Sequence, residues 1–132
     1  MKTATTRALV SVLLLAVQVM AGVACIRYEN HPWLVVSNDS GSGISEIVLS
    51  VGDMDLPVEQ LPPGNSIIVQ LDNHFKPGTP KELTVGVRFV NSDGESHQGS
   101  MGVPVVPRAV GEIRASVGKR NEVSWENALK SP

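Results

Sequence analysis

Three histidines, His31, His74 and His97, are the side chains best suited to holding a metal. They stand 43 and 23 residues apart, with no His-x-x-x-His pair and no second cysteine to join them. Zinc needs three or four converging ligands, so no metal centre and no cofactor is expected. Asp53 and Asp55 in GDMD alternate as in a calcium loop, but no terminal glutamate follows at the required spacing. They read as a solvated hairpin turn. Ser96 and His97 are neighbours on a strand-like run, and successive strand side chains point to opposite faces. They cannot form a dyad, and no serine sits in a Gly-x-Ser-x-Gly elbow. No catalytic residue is assigned, and an enzyme is not expected.

The longest turn, DNHFKPGTP at 72–80, gathers Asp72, His74, Phe75 and Lys76. Long loops on a rigid scaffold often carry recognition. An exposed Phe75 beside charged groups would suit a small protein-contact site; alternatively, Phe75 folds back to plug the end of the core. Asn38-Asp39-Ser40 matches a glycosylation acceptor, and NDSGSG around it reads as an Asx turn joining two strands.

The only cysteine, Cys25, follows an uncharged run from Ala8 to Ala24, itself preceded by Lys2 and Arg7. A basic start, an apolar stretch and small residues at its end make a secretory signal. The run is also near the lower length limit for an uncleaved membrane anchor. Either way the leader is expected to be helical. Val23-Ala24-Cys25 resembles the lipobox of bacterial lipoprotein precursors, although Gly22 stands where that family usually has leucine. The resemblance implies cleavage before Cys25 and a lipid on its thiol, with the membrane as the first partner. Ile26 and Arg27, in place of an aspartate, imply sorting to the outer membrane or the periplasmic face of the cell envelope. Ordinary cleavage after Ala24 would instead release a soluble periplasmic or secreted ligand-binding domain.

From Cys25 onward the chain is one domain's worth, and a lone cysteine gives it no internal disulfide. Without Lys2 and Arg7 it carries 9 basic against 13 acidic side chains, a net charge of −4 with histidines neutral. No cluster of Lys and Arg suits a phosphate backbone, so nucleic acid is not expected as a partner.

No sustained helical period follows Cys25. Short apolar runs separated by Gly, Pro, Asn and Asp recur about every 10 residues, as in an all-β sandwich or barrel. Expected strands are 33–37, 44–51, 56–61, 66–71, 82–90, 96–106, 112–117 and 122–125. Leu83, Val85, Val87 and Phe89 alternate with Thr84, Gly86, Arg88 and Val90, giving one buried face. A three-residue loop at Ser92-Asp93-Gly94 would set Phe89 against His97, Val87 against Gly99, Val85 against Met101 and Leu83 against Val103. Pro57 and Pro104 cannot donate to a ladder and mark edges or bulges.

Asn38, Ser40 and Gly41, a strand, Leu61-Pro62-Pro63-Gly64 and a further strand resemble small exported bacterial proteins with immunoglobulin-like domains. That implies an all-β, antiparallel immunoglobulin-like sandwich of seven to eight short strands after the signal or anchor helix. The expected layout is a signal peptide at 1–24, a tether at 25–32, the sandwich at 33–126 and a flexible tail at 127–132. A non-catalytic, membrane-tethered interaction or structural module of the cell envelope follows as the expected function.

Overall fold

The computed structural model describes residues 17–21, 31–75 and 81–131. They form nine strands: β1 (Val17–Ala21), β2 (Pro32–Asn38), β3 (Ile44–Val51), β4 (Met54–Leu61), β5 (Asn65–Gln70), β6 (Glu82–Val90), β7 (Ser96–Pro104), β8 (Gly111–Val117) and β9 (Val123–Asn127). One sheet runs β1-β5-β2-β8-β9 and the other β4-β3-β6-β7. Their inner faces share one core, with Leu34, Ile67 and Ile113 from the first sheet and Leu49, Val85 and Phe89 from the second. The protein is an all-β sandwich.

The β6–β7 hairpin has the register its alternation predicts. Leu83 pairs with Val103, Val85 with Met101, Val87 with Gly99 and Phe89 with His97. At its turn Asn91 N–H donates to Glu95 O (2.9 Å) and Gly94 takes φ +84°. Glycine supplies the left-handed conformation that lets this short loop match the twist of its strands. Pro57 lies on β4 and Pro104 ends β7, both edge strands of their sheet. Trp125 packs against the core, while Trp33 meets His31 edge-on at a centroid distance of 6.0 Å.

Four features differ from expectation. Val17–Ala21 is an extended strand antiparallel to β5, where a signal or anchor helix was expected; the rest of that segment lies outside the described residues. An exposed β edge offers unpaired backbone groups, which an apolar segment satisfies equally well as a strand. Second, β2 and β8 pair in parallel, so the sandwich is not purely antiparallel. Third, β3 carries a bulge between Ser45 and Val48, with Glu46 at φ +48°. The extra residue turns both Ile44 and Ile47 inward, although their spacing of three violates period two.

Fourth, the tail is tied down through Lys130. Ala128 N–H donates to Glu112 O (2.9 Å), and Val110 and Lys130 exchange backbone bonds at 2.9 Å each. Gly111 makes this approach possible. A Cβ there would lie 2.6 Å from Ala128 O, and φ is +105°. Gly111→Ala is therefore expected to cost roughly 1–3 kcal/mol from the strained backbone. Urea unfolding would show it as a lower midpoint, whereas an unchanged midpoint would mean that the tail does not hold this position.

Candidate functional site

Strands β2, β4, β6 and β8 run in one direction and β3, β5, β7 and β9 return, so the loops gather at two ends. At one end lie the loops 39–43, 62–64, 91–95 and 118–122. At the other lie the start of β2, the segment after β5 and the tail. There Leu71 N–H donates to Pro32 O (2.9 Å) and Gly111 N–H to His31 O (3.1 Å).

Residues 72–75 of the loop singled out in the sequence belong to this second end. Asp72–His74 is one turn of 3-10 helix. Phe75 follows it inward and is only 3% exposed, in the core cluster that also holds Leu71, Leu83 and Ala109. Arg108 N–H donates to Phe75 O (3.2 Å) and locks the turn against the segment before β8. Of the two possibilities, Phe75 is the plug and offers no exposed aromatic contact. A ring is too costly to leave in water when the open end of a sandwich can take it. Asp72 Oδ1 lies 3.1 Å from His31 Nδ1, and its other oxygen accepts from Gln70 Nε2. This pair is substantially exposed and worth at most about 1 kcal/mol. Lys76 and Cys25 lie outside the described residues.

The histidines are dispersed. His97 stacks on Phe89 at 5.5 Å, and its Nε2 is 3.2 Å from Asn91 Nδ2. His74 is half-buried, and desolvation lowers its pKa below the ordinary histidine value. Among the described residues no group of three or more His, Cys, Asp or Glu converges on a metal position.

The His74 shift has a sign. With the folded pKa below the unfolded one, the unfolded chain binds more protons between the two values. Stability therefore falls as pH drops through about 6.5 toward the folded pKa. His74→Asn should flatten that part of the curve. Thermal melts at pH 7.5 and 5.5 test this, and an equal loss in variant and parent would contradict it.

Asn38 is fully buried. Its Nδ2 donates to Ser42 O (2.8 Å) and Leu61 O (2.9 Å), and its Oδ1 accepts from Ser40 N–H (3.1 Å) and Ser40 Oγ (2.6 Å). The expected Asx turn is present. Both amide hydrogens are engaged, so the folded chain cannot present Asn38 as a sugar acceptor.

A feature missed by sequence reasoning lies on the outer face of the second sheet. A shallow groove of about 430 Å³ crosses β3, β6 and β7. Strand register builds its floor as a row, Asp55 opposite Ser50, Ser50 opposite Gly86 and Gly86 opposite Ser100. Gly86, lacking a side chain, leaves the notch. Arg88 and Gln98 form the next row, and Thr84 closes the groove. Ser50 Oγ donates to Asp55 Oδ1 (3.1 Å). The groove offers hydroxyls, an amide, a carboxylate and a guanidinium, which suits hydrogen bonding to a small polar ligand. The outward positions Thr84, Gly86 and Arg88 were legible in the alternation of β6. Ser50 and Asp55 join them only through long-range pairing.

No family model matches the chain, and no curated protein matches it. A solved NMR structure of a protein from Eubacterium rectale is similar to it in fold. The TM-score is 0.50 at 13% identity, over 83% of this chain and 97% of that one. At that identity the likeness concerns fold alone. Among the described residues no helix is long and apolar enough to cross a membrane.

Proposed function

We propose that the protein is a non-catalytic module of the bacterial cell envelope, exported and held to a membrane by lipid on Cys25. The observation that carries this reading is Val23-Ala24-Cys25 at the end of a basic-then-apolar leader, only seven residues before β2 begins at Pro32. Seven residues reach at most about 25 Å, so the domain would sit close to the bilayer. One acyl chain holds a protein only reversibly, whereas several hold it firmly.

The direction of β2 gives the module an orientation. Its first residue is nearest the tether, so the end containing Asp72, His74 and Phe75 would face the membrane. Loops 39–43, 62–64, 91–95 and 118–122 would face away from it, toward a protein partner or the wall. The turn at 72–75 is thereby the less suitable contact surface.

We read the sandwich as immunoglobulin-like. Taken as B, C, C′, E, F and G, strands β2 to β7 give the sheet neighbours B–E and C′-C-F-G. The place of strand A beside B is taken by β8, in parallel sense.

The tether is tested by growing the producing cell with radioactive palmitate beside a Cys25→Ser control. Label on the parent and none on the variant is expected; an unlabelled parent contradicts the reading. The polar groove favours a second reading, a soluble periplasmic or secreted ligand-binding domain released by ordinary cleavage. It would show as an unlabelled protein whose melting temperature rises with a small polar ligand, an effect lost in Arg88→Ala.

A further inference from the structure

The sheet edges among the described residues are guarded in different ways. Strand β4 carries Pro57 with Asp55 and Glu59, which discourage pairing. Strands β7 and β9 close on each other: a Cβ on Gly99 would lie 2.8 Å from Val123 Cβ, so only glycine admits that approach. The remaining edge is β5, Asn65 to Gln70, with no proline and no charge. Its outer side is covered by β1, in the register Val17 to Val69, Val19 to Ile67 and Ala21 to Asn65. All of β1 precedes Cys25. Cleavage there would remove the cover from an edge that, among the described residues, has no other protection.

The geometry points to β5 as a strand-accepting edge that processing uncovers, and whose occupant in the processed protein is an extended, uncharged segment of a partner protein. The inference rests on the cleavage proposed above. Strand β1 shows what the edge takes: five residues without charge, added antiparallel. Strand addition draws affinity from main-chain hydrogen bonds, so a short segment suffices. A second copy pairing β5 with β5 would join only about six residues a side, against the roughly 20–30 of a stable protein interface. Two folded copies need that wider surface, whereas an extended segment, as β1 does, meets the edge through its main chain alone, which favours a peptide-like partner segment over a dimer.

The probe is a synthetic peptide of residues 16–22, AVQVMAG, and the readout is hydrogen exchange of the β5 amides. In the full chain, a Gln18→Pro, Val19→Pro double variant removes two consecutive N–H donors, one of which faces β5 whatever the phase. Exchange in β5 should rise at least about tenfold while β6 and β7 stay protected, which shows the sandwich intact. Added peptide should restore protection to β5 alone. Processed protein, purified in detergent from the producing membrane, should behave as the variant does. A β5 that exchanges fast and gains nothing from the peptide overturns the inference. So does a processed protein of dimeric mass with β5 already protected, which assigns the edge to a second copy. An intact leader in the mass spectrum refutes the cleavage reading and processing as the trigger, while the double variant still tests the edge itself.

Discussion

Replacing Phe75 with serine is expected to lower the unfolding free energy by at least about 3–5 kcal/mol, the range for removing a buried phenylalanine. The ring is 3% exposed at the end of the core. Serine would leave a cavity there and bury a hydroxyl. Domains of this size are stable by about 5–15 kcal/mol, so the melting temperature should fall by more than about 10 °C. Asn73→Ala, at a neighbour outside the core in the same turn, should change stability by less than about 0.5 kcal/mol. If Phe75→Ser melts with the parent, the ring does not plug the core and the contact-loop expectation returns.

Asn38→Ala should cost about 2–4 kcal/mol. It removes four hydrogen bonds that tie the end of β2 to the 39–43 loop and to Leu61 at the end of β4, and leaves Leu61 O without that donor. Asn38→Asp should be worse at neutral pH. It keeps an acceptor for Ser40 but turns a buried carboxylate toward two carbonyl oxygens. Burial favours its neutral form, raising the folded pKa above the unfolded value. The added penalty therefore grows as pH rises through the unfolded pKa and shrinks in acid. Urea midpoints at pH 4 and pH 7 measure it. A loss of stability in Asn38→Asp that is the same at both pH values would mean that the new carboxylate has swung into solvent.

Local order in this fold was legible in the residues. The alternation from Leu83 to Phe89 and the glycine in NSDG fix both partners and register of the β6–β7 hairpin, because a slip of one residue would put Ser96, Gln98 and Ser100 into the core. Pro57 and Pro104 announced edges for the same kind of reason. What depends on distant pairing was not legible. The parallel contact of β2 with β8 joins residues about 80 positions apart, and no local pattern encodes it. Ile44 and Ile47 broke the strand period, and that break was the trace of the bulge at Glu46. The tail ENALKSP has few apolar groups, yet backbone bonds hold Ala128 and Lys130 in place, with Ala128 packed against Gly111, 17 residues before it.

The candidate site divides along the same line. Phe75 in a polar loop was open to two readings, since a single aromatic residue carries no period, and packing at the end of the sandwich decides for the core. The groove around Gly86 needed three strands to be assembled before its hydroxyls lay side by side. Cys25 differs from both: the lipid proposed for it is read from the short linear pattern before it, which does not depend on distant pairing.

The tether is tested most directly by the intact mass and N-terminal fragment spectrum of protein extracted from the membranes of the producing cell. A chain beginning at Cys25, heavier by a diacylglyceryl group and an amide-linked acyl chain, is the expected result. Full-length chains with the leader attached in the cytosol, or an unmodified Cys25 on soluble exported protein, would contradict it.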